Sequence, residues 1–135
     1  MQIAALTPSE LAVVRQAEDA LKKEPQLQID IKETLHEGVY TRTAFVPENV
    51  VLSGALMKVP TTLLVIGRCV LTLSKGTAAV DGFASFTSPA GRKTLFRTLS
   101  ATKLVMVFAT KAQSLEEARK EFTDDVLQGE EPCQE

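Results

Sequence analysis

Turn-forming residues cut the chain between about residue 27 and residue 110 into short apolar runs, and this punctuation leaves little room for long helices. The turns are His36-Glu37-Gly38, Pro47-Glu48-Asn49, Ser74-Lys75-Gly76, Asp81-Gly82 and Ser88-Pro89-Ala90-Gly91, the last with proline and glycine where a type I turn favours them. The runs between them have strand character. Leu27, Ile29 and Ile31 alternate with Gln28, Asp30 and Lys32, the period of a half-buried strand. Further strands are expected over 39–46, 50–59, 61–66, 68–73, 77–80, 84–87, 94–98 and 103–110. In this reading Gly54 marks a bulge or corner inside a strand, and Gly67 and Asp81-Gly82 are turns.

Helical signals occur only at the two ends. Thr7-Pro8-Ser9-Glu10 places an N-cap, a proline at N1 and a reciprocal glutamate at N3. Leu11, Val14, Ala17 and Leu21 then form a thin apolar stripe as far as about Lys23, and Pro25 ends it. So narrow a stripe suits packing on the outside of the fold or on a partner chain. Ser114-Leu115-Glu116-Glu117 opens a second helix to about Asp125, with Leu115, Ala118 and Phe122 on one face. Helices at the ends alone leave no βαβ units, so the fold class is all-β, a sandwich or barrel. The expected organisation is a helical arm over 1–26, a β-barrel over 27–112, a helix over 113–127 and a loose acidic tail over 128–135.

The 135 residues are enough for one domain with its own core. With 15 basic and 17 acidic residues the net charge is −2, which offers no general attraction to nucleic acid or to an anionic membrane. No apolar run approaches the length of a membrane-spanning helix, and Met1-Gln2-Ile3-Ala4-Ala5-Leu6 lacks the basic start of a signal peptide. Cys69 sits in an apolar strand as a core thiol, while Cys133 lies in the polar tail. Two unpaired thiols point to a reducing, cytosolic setting.

Four segments, in order, resemble the small cupin-like proteins encoded in tailed phages and prophages. Glu37-Gly38-Val39-Tyr40-Thr41-Arg42 with Phe45-Val46-Pro47 is similar to that family's "DGVYxRxxxIPxG". Gly54-Ala55-Leu56-Met57-Lys58 is similar to "GKIHK", and 63–67 to "LNILSKG". Phe86-Thr87-Ser88-Pro89-Ala90-Gly91-Arg92-Lys93 is similar to "FVSPPGTKR". The resemblance covers roughly residues 37–125 and excludes the first helix. It implies a cupin-like double-stranded β-helix, a jelly-roll type barrel of two sheets with one open mouth.

The resemblance also bears on metal chemistry. Metal-dependent cupins hold iron, manganese or zinc through histidines and a carboxylate, ligands suited to those ions. In this chain Met57 stands where the phage relatives place a histidine, and Phe108 stands near where their last strand carries another. A thioether, the Lys58 ammonium and a phenyl ring do not make such a site. No metal, no cofactor and no catalytic residue is therefore expected. The lone His36 precedes a turn, and His36-Glu37 reads either as an acid–base pair or as a solvated loop. Ser88 and Ser100 lack a second histidine for a triad. The glycines match no phosphate-binding loop.

Two polar groupings remain. Tyr40, Arg42, Lys58 and Arg97 lie on strands that such a barrel wraps around its mouth, and they are the candidate ligand-binding residues. Arg92, Lys93, Arg97 and Lys103 form a basic cluster on the last hairpin, either a solvated strand face or an anion contact. Glu116, Glu117, Glu121, Asp124 and Asp125 form an acidic face on the last helix, either solvated or facing a neighbouring subunit. The leading expectation is a non-enzymatic phage or prophage protein, an oligomeric virion component or assembly factor of the host bacterial cytoplasm or the virion. Its partners would be further copies of itself and other phage proteins. The alternative is a protein that binds or sequesters a small anionic, nucleotide-like molecule and so counters host defence. A metal-dependent cupin isomerase or dioxygenase is the third.

Overall fold

The computed structural model describes residues 2–24, 27–125 and 127. In chain order the elements are α1 (Pro8–Leu21), β1 (Asp30–His36), β2 (Val39–Val46), β3 (Val51–Ser53), β4 (Thr61–Leu73), β5 (Gly76–Ser88), β6 (Leu95–Thr98), β7 (Thr102–Ala109) and α2 (Leu115–Phe122). The tail over 128–135, with Cys133, lies outside the described residues, as does Pro25. Among the described residues no helix is long and apolar enough to cross a membrane.

The strands form one seven-stranded antiparallel sheet in the order β1-β2-β7-β4-β6-β3, with β5 on the other edge of β4. Strands β1 and β3 end that order, yet Ile31 and Leu52 pack on the same core cluster, so the sheet curls round on itself. Alternation sets the inner face. Tyr40, Arg42, Ala44 and Val46 of β2 and Leu104, Met106 and Phe108 of β7 turn inward, as do Ile31, Glu33 and Leu35 of β1. Val65, Cys69 and Leu71 of β4 are fully buried among Phe86, Phe96 and Leu104. Each such side chain contributes roughly 1.5–3 kcal/mol on leaving water.

Three sequence expectations need correction. Gly67 and Asp81-Gly82 do not turn the chain. They lie within two continuous 13-residue strands, where Gly67 pairs with Gly82 and Arg68 with Asp81. Gly67 has φ 136° and Gly82 φ 102°, backbone that favours glycine. The ladder bends there, and the bend lets one edge of β4 serve two neighbours: residues 62–66 pair with β7, and residues 69–72 pair with β6. The strand expected over 50–59 is regular only across Val51–Ser53. Beyond it the ladder breaks into single bonds, Gly54 N–H to the Thr94 carbonyl and Met57 N–H to the Arg92 carbonyl. The first strand begins at Asp30 rather than Leu27, although Ile29 is buried.

Both terminal helices form. The capping box at Thr7 and Glu10 is complete, and Ser114 accepts the Glu117 N–H at 3.1 Å. Helix α2 buries Ala118 and Phe122 against the barrel end, where Phe122, Tyr40 and Phe108 stack with ring centroids 5.2–5.9 Å apart. Helix α1 buries no side chain completely. It is tethered by backbone bonds from Ile3 to Thr87 and from Leu6 to Gly91, and by ion pairs from Arg15 and Glu18.

Candidate functional site

A half-open cavity of about 440 Å³ lies against the inner face of the curled sheet. Most of its wall is apolar, with Ile31, Ala44, Leu52, Leu63, Phe96, Leu104 and Met106 from the strands, Ile29 just ahead of β1, Met57 from the segment after β3 and Phe122 from α2. Arg15 and Glu18 of α1 and its C-cap residue Lys22 contribute to the lining, so the first helix forms part of the site. The polar lining is strongly cationic: Arg15, Lys22, Arg42, Arg92 and Lys93, against the carboxylates of Glu18 and Asp125.

Three polar groups are built around this space. In the first, the Lys93 ammonium, 1% exposed, donates to Glu18 at 2.9 Å and to the Gly54 carbonyl at 2.7 Å, with Asp125 at 3.5 Å. Arg15 pairs with Asp125 and Glu18, each at 3.1 Å. Burial pushes the carboxyls of Glu18 and Asp125 up, but their hydrogen bonds and cationic neighbours outweigh it and hold both below the usual range. This network joins α1, the 93 position and the segment after α2.

In the second, Glu33 takes Arg119 Nε at 2.8 Å and Arg119 Nη2 on its other oxygen, Arg42 at 3.0 Å and the Tyr40 hydroxyl at 2.5 Å. The fork from Arg119 is the main reason the Glu33 carboxyl falls to about 2, against the burial that opposes it. Burial first, and then the bond to Glu33, pushes the Tyr40 hydroxyl up. In the third, Arg92 Nε donates to Ser88 Oγ at 3.1 Å and Nη1 reaches Thr94 Oγ1 at 3.4 Å, while Ser88 also meets Thr61 at 3.2 Å. Arg92 is 4% exposed, and burial alone lowers its guanidinium to about 10.

The four candidate ligand-binding residues are not brought together. Arg42 lines the cavity, paired with Glu33. Tyr40 is buried beside it in the aromatic stack, its hydroxyl spent on the same glutamate. Lys58 is outside, clamping Asp124 at 2.8 Å, and Arg97 is exposed on β6. The basic cluster also divides: Arg97 and Lys103 face out, whereas Arg92 and Lys93 are buried at the cavity and form no solvated face. The acidic residues expected on the last helix divide too: α2 ends at Phe122, so Asp124 and Asp125 lie beyond it, and Asp125 turns onto Arg15 and the Leu56 N–H.

Met57 lines the cavity, while Phe108 belongs to the stack against α2. His36 lies in the open beside Glu37 at 3.8 Å, away from the cavity. Among the described residues no three His, Cys, Asp or Glu side chains are grouped as metal ligands. Sequence reading missed Glu33, Arg15 and Glu18, and put Asp125 on a solvated or intersubunit face rather than at the cavity. Glu33 was within reach, because the alternation Ile29, Ile31, Leu35 points residue 33 inward as well.

A cupin superfamily protein from Desulfitobacterium hafniense matches 65% of this chain and 83% of its own length, at 11% identity and TM-score 0.52. The Cnp3 cupin domain of Schizosaccharomyces pombe matches 75% of this chain and 72% of its own, at 17% identity and TM-score 0.51. The fold is cupin-like. A protein of unknown function from Rhizobium leguminosarum is similar at TM-score 0.50 and 16% identity, over 69% of this chain and 91% of its own. No protein-family model and no curated protein sequence matches the chain. These likenesses establish the cupin-like fold and leave function to the site.

Proposed function

We propose that this cupin-like protein is a non-enzymatic binding protein that takes a small, largely apolar molecule into the cavity of its barrel. The observation that carries the reading is the cavity of about 440 Å³, walled by aliphatic and aromatic side chains and fixed by ion pairs at its margins. Small-molecule sites have this composition, and their volumes run from about 300 to 1,000 Å³. Among the described residues the lining includes neither histidine nor cysteine, and its carboxylates are occupied by Lys93 and Arg15. Such a wall favours holding a molecule over transforming it.

Titration with the neutral dye Nile red tests this. Saturable binding near one dye per chain is expected, and Ala44→Trp, which fills the cavity from β2, should abolish it. Dye uptake that does not saturate, or that Ala44→Trp leaves unchanged, would overturn the reading.

A second reading, self-association, has its own observation. On the outer face the register aligns Phe45, Lys103, Ile66 and Phe83 across β2, β7, β4 and β5. Phe45, Ile66 and Phe83 are 39–61% exposed. An exposed row of three large apolar side chains, with Lys103 set between Phe45 and Ile66, suits contact between chains. Native mass measurement tests it, and a strictly monomeric protein at high concentration would count against it. The phage or prophage setting and a place in the virion rest on the sequence resemblance alone.

A further inference from the structure

Three of the five cations of the described lining have carboxylate partners: Lys93 and Arg15 share Glu18 and Asp125, and Arg42 shares Glu33 with Arg119. Lys22 is exposed at the rim. Arg92 is the most deeply buried guanidinium of the lining, and its partners are two neutral hydroxyls, Ser88 and Thr94. No carboxylate of the described residues lies within 4.0 Å of it.

Its remaining nitrogen is informative. Nη2 makes no hydrogen bond, yet among the described residues no fully enclosed side-chain nitrogen or oxygen lacks a partner. Nη2 therefore keeps some accessible surface, and Arg92 is among the residues that line the cavity. An unpaired buried cation is expensive, and a fold keeps one where an anion arrives to meet it.

We propose that Arg92 anchors the single carboxylate of a ligand whose apolar body fills the cavity. This rests on the binding reading above. Ser88 and Thr94 hold the planar fork by Nε and Nη1, leaving the Nη2 edge for a charge-assisted bond. At Arg92 itself one positive charge without a carboxylate partner matches one negative charge. A phosphate monoester, at about −1.5 to −2 near neutrality, brings more charge than this one guanidinium balances. Nucleotides are disfavoured on the same ground.

The test is displacement of Nile red by decanoate, decanol and decyl phosphate at neutral pH, in the wild type and in Arg92→Met, Arg92→Lys and Ser88→Ala. Decanoate should compete at least about tenfold more tightly than decanol, as a charged hydrogen bond in a buried site implies, and more tightly than decyl phosphate. Arg92→Met should remove the preference for the acid, so that decanoate and decanol compete equally. Arg92→Lys and Ser88→Ala should reduce it. If dye binds but decanol equals decanoate in the wild type, the anchor is wrong and the cavity reading stands. The same holds if decyl phosphate binds best, or if Arg92→Met keeps the acid preference. If the dye does not bind saturably at all, both fall. The wild-type comparison needs no variant to fold.

Discussion

Lys93 and Glu18 meet at 2.9 Å across the boundary between the barrel and its first helix, the lysine 1% and the glutamate 17% exposed. Helix α1 buries no side chain of its own, so its position depends on this pair, on Arg15 with Asp125 and on the backbone bonds ahead of it. Removing Glu18 leaves a buried ammonium with Asp125 at 3.5 Å and one carbonyl. Glu18→Ala should therefore cost about 2–3 kcal/mol, below the loss of a pair with no remaining partner. Hydrogen exchange should show α1 amides losing protection before the strands. Equal protection of α1 in variant and wild type would show that the ion pairs do not hold it.

The inner Arg92 has the opposite sign. Its guanidinium is buried against the hydroxyls of Ser88 and Thr94, so the ligand-free protein carries a desolvated charge that no carboxylate of the described residues neutralises. Methionine has a similar shape and no charge. Arg92→Met should raise the stability of the ligand-free protein by about 1–3 kcal/mol in urea denaturation, as replacement of poorly compensated buried charge does elsewhere. A loss of stability would show that the hydroxyl bonds of Ser88 and Thr94 outweigh desolvation.

These two sites also show what a linear sequence hides. The strand β2, Val39–Val46, is legible to the residue because its alternation follows a Glu37-Gly38 turn with both φ positive, at 46° and 84°. Both helices are legible from their caps. Gly67 and Gly82 are not, because a turn and a bend within a strand use the same residue, and only the pairing of one glycine with the other distinguishes them. Arg92 and Lys93 follow Pro89-Ala90-Gly91 in an irregular segment, where no period tells which side chain faces in. Lys93 becomes a core residue through Glu18, 75 positions earlier, a relation that local pattern does not carry.

Glu33 sets the expected acid response. Its folded carboxyl titrates at about 2 against an ordinary 4.5, chiefly through Arg119. A depressed carboxyl stabilises fully above its ordinary value and loses that contribution as pH falls from about 4.5 through about 2. Glu18 and Asp125 shift in the same direction. Urea midpoints should thus fall steeply across this window. Glu33→Gln should cost about 3 kcal/mol at neutral pH, since Arg42 and Arg119 lose their shared partner, and its acid slope should be shallower. An unchanged slope would show that Glu33 is not the main titrating contributor.

The bend at Gly67 gives the sharpest contrast. A Cβ there would lie 2.7 Å from Thr102 Oγ1 and 2.8 Å from the Ala101 carbonyl, with φ at 136°. Strain and overlap add, so Gly67→Ala should cost about 2–4 kcal/mol. Gly76, at the hairpin between β4 and β5, has φ 110° but nothing within 4 Å of the same added atom. Gly76→Ala bears the backbone strain alone and should cost about 1–2 kcal/mol. The difference, read as a gap in melting midpoints, isolates the close approach of β4 to the start of β7 from the conformational preference of glycine. Equal losses at the two positions would mean that the approach relaxes freely, and that the switch of β4 from β7 to β6 does not depend on a missing side chain at Gly67.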